Sequence, residues 1–321
     1  MDDKAQELQT EKLSLITYGE MKKVEDDERV LQQAIYSLGK NFSNLHTLSK
    51  RFIQRQPICY DERGLFWLWD FTNCRWVMID ETKLLNAIHD SLEMENDGSI
   101  KTKNDIHEAL RQNGRRNMPK SFPKSWVQFK DYFFQIIPQY QEGTNQLRLD
   151  GKICTFIEKA TPDFFATNPI PWKIGNTYYT PMIDRLFEEW VGKEWVETMH
   201  EIIAYCCYAD YPIHSIFCLI GSGRNGKTQF QRLLVKFLGE WNVCASELED
   251  IITNRFETFK LYKKLACLMG ETNFNMIKST SKLKKLSGND LVGFEKKNKD
   301  PFDDYNYAKI IINSNSLPPS E

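Results

Sequence analysis

IFCLIGSGRNGKTQFQRLLVKFLG, residues Ile216–Gly239, decides how the chain is read. Apolar residues give way to a glycine-rich turn, and the turn to a helical pattern. Gly221–Thr228 satisfies G-x-x-x-x-G-K-[ST] at every position. At average residue usage, a chance match arises in on the order of one chain in a hundred. Context narrows it further, because SIFCLI supplies a strand before the loop and QFQRLLVKFL an amphipathic helix after it. Glycines let such a backbone wrap with its N–H groups turned inward toward an anion. A helix beginning near Gly226 aims its positive dipole end at the same point. Gly221, Ser222, Gly223, Arg224, Asn225, Gly226, Lys227 and Thr228 are therefore the expected nucleotide cradle. Lys227 would reach the β- and γ-phosphates of ATP, and the Thr228 hydroxyl would coordinate Mg²⁺.

A phosphate loop alone leaves kinases, GTPases and motors open. KKLACLMGETN (Lys263–Asn273) reads as an apolar strand ending in Glu271, placed to meet Mg²⁺ and an attacking water. The usual Asp-Glu pair is absent, since Gly270 precedes Glu271. Glu271 must then serve as metal ligand, as the base that orients water, or as both. YAKIIINSNSLP (Tyr307–Pro318) reads as another apolar strand followed by Asn313 and Asn315, amides able to bond a γ-phosphate or a lytic water. Asparagine also favours strand-ending turns, so the amides alone do not choose. Between these strands the segment is rich in lysine, and LVGFE and YNYAKI read as flanks of a hairpin with KKNKD at its tip. Lys296, Lys297 and Lys299 there suit sequence-independent contacts to a nucleic-acid backbone, or form an ordinary solvated charge run.

Elsewhere the signals are coarser. The 321 residues are 41% hydrophobic and 27% charged, enough for a full core and two or three domains. A net charge of −2 gives no global sign of nucleic-acid binding, so any such contact must be local. No run of 18 apolar residues is present, and the polar start MDDKAQELQTEK reads as neither signal peptide nor membrane anchor. Eight cysteines without a C-x-x-C pair point to reduced thiols and a cytoplasmic setting. The five histidines show no ligand spacing, and no metal cage is visible. Residues 1–50 read as a charged helical lead-in, LLNAIHDSL as a short helix, and NQLRLDGKICTF as two strands around Asp150-Gly151. GLFWLWDFTNCRWVMID (Gly64–Asp80) reads as an aromatic hairpin. Its Phe66, Trp67, Trp69 and Trp76 either pack a core or form a base-stacking platform. Arg111, Arg115, Arg116, Lys120 and Lys124, interleaved with Phe122 and Trp126, read as a basic loop that touches phosphates or as an exposed linker.

Taken together, GSGRNGKT with Asn225, Glu271-Thr272, the K-L-x-G-x-D-like run Lys284–Asp290, and Asn315 with Pro318 resemble the superfamily 3 helicases. The likeness is to the phage/plasmid and poxvirus-type primase-helicase family. It covers roughly residues 145–321 and extends weakly back to about 55. Asn273 departs from the family's E-T-E pattern. The resemblance implies an α/β fold with a RecA-like (AAA+-type) P-loop ATPase core over 209–321. A helical domain over 145–208, an α+β accessory domain over 51–144 and the lead-in over 1–50 would precede it. It implies ATP and Mg²⁺ at the loop, Glu271 in the acidic-strand role, Asn315 as sensor, and Lys296, Lys297 and Lys299 on a DNA-contacting hairpin. The expected assembly is a homo-oligomer, a hexameric ring on single-stranded or forked DNA, with a primase or polymerase module on the same longer chain and no membrane partner. An arginine acting on a neighbouring subunit's ATP would fall downstream of Glu321, and so would one further core strand, so the chain is expected to be C-terminally truncated. The competing expectation is a catalytically incomplete, nucleotide-gated DNA-binding or assembly module. A small-molecule kinase is a third, but no acceptor-lid motif accompanies the loop.

Overall fold

The computed structural model describes residues 56–80, 82, 84, 100–135, 155–175, 179–223, 225–272 and 280–316. The lead-in at 1–50, most of the helix expected at 84–92, the turn at Asp150-Gly151, Arg224, Asn273 and Pro318 lie outside them. Contacts divide the chain into two compact units, 1–120 with 162–165 and 121–161 with 166–321. In the first unit, β1 (Ile58–Tyr60), β2 (Phe66–Asp70) and β3 (Arg75–Ile79) form an antiparallel meander. The β2–β3 turn is fixed by the buried Asp70, whose carboxylate accepts the Thr72 N–H at 2.9 Å and the Asn73 side-chain amide at 2.8 Å. Aromatic and β-branched residues on both flanks pair across the hairpin, with Trp69 opposite Trp76. Phe66, Trp67, Trp69 and Trp76 are all buried. The stacking-platform alternative is therefore overturned, because these faces are spent inside a core. α1 (Ile100–Arg116) lays Ile106, Leu110 and Asn113 on the meander at helical spacing. An added Cβ at Gly114 would lie 3.0 Å from the Tyr60 backbone nitrogen, so glycine permits this close approach.

The basic loop is likewise corrected. Arg111, Arg115 and Arg116 belong to α1, and the guanidinium carbons of Arg111 and Arg115 lie 5.5 and 5.3 Å from the Tyr60 ring centroid. In the second unit, Lys124 is paired with Asp210 at 2.8 Å, while Phe122 and Trp126 pack on the buried Phe133.

That second unit opens with β4 (Trp126–Phe129), β5 (Tyr132–Gln135) and β6 (Thr155–Lys159), an antiparallel meander, followed by α2 (Pro181–Val191) and α3 (Val196–Cys206). Then come β7 (Phe217–Ile220), α4 (Lys227–Leu238), β8 (Val243–Ser246), α5 (Leu248–Thr253), β9 (Ala266–Glu271) and α6 (Ser281–Ser287). The hairpin β10 (Leu291–Phe294) and β11 (Phe302–Tyr305) leads into β12 (Lys309–Ser314). Four of these strands form a parallel sheet in the order β7-β12-β9-β8, making the fold a mixed α/β one. Parallel strands with helices on their faces read as continuous apolar runs, as ACLM and III do here. β12 is buried throughout, whereas β7, at the edge of the described sheet, is only partly so. One core joins Val127, Ile170, Cys206, Leu234, Leu238 and Ile311, so the meander, α3 and α4 share it with the sheet. Burying each such leucine contributes roughly 1.5–3 kcal/mol.

One local detail departs from expectation, and a buried lysine adjoins it. The return strand of the lysine hairpin is Phe302–Tyr305, not YNYAKI, because Lys309 already belongs to β12. Lys309 is fully buried there. Its ammonium donates to the carbonyls of Tyr208, Asp210 (2.6 Å) and Tyr307 (3.1 Å), with the rings of Tyr205 and Tyr211 around it. Burial pulls its pKa down to about 8 against the opposing pull of the Cys206 and Asp210 sides.

Candidate nucleotide-binding site

Parallel topology brings the C-terminal ends of all four sheet strands to one edge, the usual location of ligand sites in open α/β sheets. From β7 the chain enters the glycine loop, where the Gly221 N–H donates to the Ser314 carbonyl of β12 at 3.2 Å. Gly223 and Gly226 both take left-handed backbone angles, φ of 103° and 88°. Side chains disfavour that region, which is the physical reason for glycine at both places. Gly226 caps α4, whose first turn leaves its N–H groups without intrahelical acceptors. α4 is then held down by Phe230, Leu234 and Leu238 on its buried face.

Three side chains from three segments converge at this edge. Lys227, in the first turn of α4, donates to the Gly221 carbonyl within the loop, to Asn225 Oδ1 at 3.1 Å and to Asn315 Oδ1 at 3.3 Å. Asn315, just past β12, donates through its Nδ2 to Glu271 Oε1 at the end of β9. Lys227, Asn315 and Glu271 thus form one chain of hydrogen bonds across the sheet edge. Asn313, the other amide expected near the strand tip, is instead buried within β12, with its carbonyl accepting the Thr272 N–H. Thr228 and Ser222 are exposed on the loop side, and Arg224 and Asn273 lie outside the described residues.

One acidic group escaped the sequence reading. Glu247 follows β8 at the same edge, and its carboxylate oxygen would lie 3.2 Å from a Cβ placed on Gly270. Its signal was visible only as an acid just after a short strand, and what singles it out is the parallel pairing of β8 with β9. Glycine at 270 leaves room for that carboxylate beside Glu271.

The loop has what an anion of phosphate size requires: two left-handed glycines, open space around Gly223, a helix N-terminus with no side-chain cap and a lysine turned back into the turn. The Thr228 hydroxyl in the first turn of α4 and the Glu271 carboxylate at the end of β9 are oxygen donors of the type a hard cation such as Mg²⁺ takes.

The lysine hairpin packs against the short turn of helix at Glu257–Leu261. Lys296 lies with its ammonium 5.8 Å from the Phe259 ring centroid, while Lys297 and Lys299 line a cleft of about 530 Å³ with Arg255, Phe256 and Glu295. Arg255 Nε bonds Glu295 Oε1 at 3.4 Å across it. The hairpin is anchored by Phe294 and Phe302, which pack on Tyr262 with centroids 5.3 and 5.0 Å away. Among the described residues the cysteines are free thiols, and burial pushes those of Cys206 and Cys207 up to about 12. No group of three or more His, Cys, Asp or Glu among the described residues is placed to hold a metal, and no described helix is long and apolar enough to cross a membrane.

Comparison with known proteins gives a consistent fold. Residues 219–321 match the model of a family of unknown function, DUF5906. Two apo structures of the NrS-1 C-terminal region superimpose with TM-scores of 0.52 at 15% and 14% identity. The alignments cover 85% and 87% of this chain but only 57% and 59% of those structures. A third apo structure of that region gives a TM-score of 0.50 at 16% identity. No curated protein is significantly similar to the chain. At such identities the likeness is one of fold.

Proposed function

We propose that the chain is the ATP-dependent motor part of a DNA replication protein, a helicase of the superfamily 3 type that works as a ring on DNA. The observation that carries this reading is the hydrogen-bonded chain Lys227–Asn315–Glu271, joining a phosphate-type loop to the tips of the two central strands. A kinase needs the loop, but a motor also needs an amide and a carboxylate around the γ-phosphate and its attacking water. In this reading the loop N–H groups and Lys227 hold the β- and γ-phosphates of ATP. Thr228 and Glu271 would hold Mg²⁺, which would supply positive charge against the phosphates. Glu271 orients water, and Asn315 fixes the Glu271 carboxylate while contacting the γ-phosphate side. The hairpin bearing Lys296, Lys297 and Lys299 follows the DNA backbone by charge.

The deciding experiment is the ATP hydrolysis rate of the 321-residue chain with and without single-stranded DNA, against Lys227→Ala as background. Turnover stimulated by DNA above that background is expected. ATP binding with turnover at background would instead favour a nucleotide-gated DNA-binding or assembly module. Transfer of phosphate to a small metabolite would sink both.

A further inference from the structure

Gly226 is pressed against an aromatic ring from another helix. A Cβ built at this glycine would lie 2.6–2.7 Å from three atoms of the Trp190 indole, Cε2, Cδ2 and Nε1. So close a contact with a rigid ring permits no side chain, and the φ of 88° disfavours one independently. The ring and the glycine are complementary: the indole closes the back of the turn from which α4 starts.

Trp190 is itself well held. It lies one turn beyond Phe187 on α2, and their ring centroids are 5.9 Å apart. Phe187 is fully buried and touches Phe230 of α4 and His200 of α3, with centroids 6.2 and 5.0 Å away. His200 in turn bonds Asp184 of α2 at 2.8 Å, tying α2 to α3, and that bond followed by one from Thr180 holds the Asp184 carboxyl below its usual range. Leu219 of β7 and Leu233 of α4 pack on the same cluster. α2 is thus seated on both elements that flank the loop.

We propose that Trp190 is a positioning residue for the phosphate loop, and that the seating of α2 through this indole sets nucleotide affinity. This rests on the reading of Gly221–Thr228 as a nucleotide cradle. A loop already braced in its left-handed turn loses little freedom when an anion docks on its N–H groups. With the ring removed, Gly226 regains backbone freedom that binding must take away again. A shift of α2 would reach the Gly226 turn directly through the Trp190 indole.

The test compares wild type, Trp190→Phe, Trp190→Ala, Met199→Ala and Lys227→Ala by calorimetric titration with Mg²⁺ and ATP, after circular dichroism melts establish folding. Met199 belongs to the same buried cluster, so Met199→Ala reports loss of packing alone. Trp190→Ala is expected to weaken ATP binding roughly tenfold, Trp190→Phe to recover most of it, and Met199→Ala to bind as wild type. ATP should also change tryptophan emission in the wild type but not in Trp190→Phe, whose other seven of the chain's 8 tryptophans are retained. Folded Trp190→Ala binding ATP as wild type overturns the proposal, and so does Met199→Ala losing as much affinity as Trp190→Ala. If Trp190→Ala does not fold, an ATP-induced emission change that persists in Trp190→Phe overturns it instead. Folded wild type that binds no ATP fails at the earlier step and refutes the nucleotide reading itself.

Discussion

Two lysines show how differently one residue type is used. Lys227 stands among oxygen acceptors at the sheet edge, where a phosphate can join them. A hydrogen bond to a charged group contributes roughly 1.5–3 kcal/mol, so Lys227→Ala should weaken ATP binding roughly 10–100-fold in a titration while leaving the melting curve nearly unmoved. Asn315→Ala should act on rate instead, lowering kcat roughly 100-fold with little change in KM, because its amide links Lys227 to Glu271. Lys309, in contrast, is buried among carbonyls and tyrosine rings, with its pKa lowered from 10.5 to about 8. Between those two values the unfolded chain holds more protons than the folded one, so this group makes stability rise with pH across the window. Below pH 8 the folded lysine is charged, and its contribution is an unfavourable constant on the order of 3 kcal/mol. Denaturant unfolding of wild type and Lys309→Met from pH 7 to 10.5 should differ in slope, the wild type gaining relative to the variant above pH 8. Parallel pH profiles would show that Lys309 does not titrate there.

At the scale of elements, the strand–loop–helix unit, the apolar runs at Ala266–Glu271 and Lys309–Ser314, and the aromatic hairpin were legible because each announces itself within a dozen residues. Pairing order was not legible from such local patterns. β9 lies beside β12 across some forty residues of intervening chain, and only that pairing brings Glu271 to Asn315. Glu247 was overlooked for the same reason, since its nearness to Gly270 is a property of the sheet and not of the sequence interval. The hairpin's return strand was misplaced because FDDY carries two acids and looks like a turn. In the structure Phe302 packs inward on Tyr262, while Asp303 and Tyr305 are exposed. Arg115 and Arg116 looked like loop residues, yet basic groups in a last helical turn complement the helix dipole. The DNA role proposed for the hairpin carries its own prediction. Lys297→Ala with Lys299→Ala removes two cations, so the slope of log affinity against log salt on single-stranded DNA should become shallower by about 1.4. Phe294 and Phe302 keep the hairpin folded in that variant, so an unchanged slope would place the DNA path elsewhere.

For the whole molecule, the position of β7 matters most. It leads into the glycine loop and pairs with β12 on one side, with its other side at the edge of the described sheet. In the ring motor proposed above, a neighbouring subunit would act on the nucleotide held at this loop. Phosphoryl transfer gains roughly 10³–10⁵ in rate from an arginine supplied in trans, so a motor of this design should hydrolyse ATP in assembled rings and poorly as separate subunits. Turnover per subunit should then climb with protein concentration and level off as assembly completes, with light scattering following the same curve. Mixing gives a sharper version: a subunit carrying Lys227→Ala keeps its outer surfaces but has a disabled loop. If sites work across interfaces, adding this variant to wild type at fixed wild-type concentration alters wild-type turnover in proportion to mixed-ring formation. If each subunit is complete in itself, wild-type turnover is indifferent both to its own concentration and to the added variant. That outcome would retain the ATPase and remove the ring, because no neighbour would then be acting on the nucleotide site.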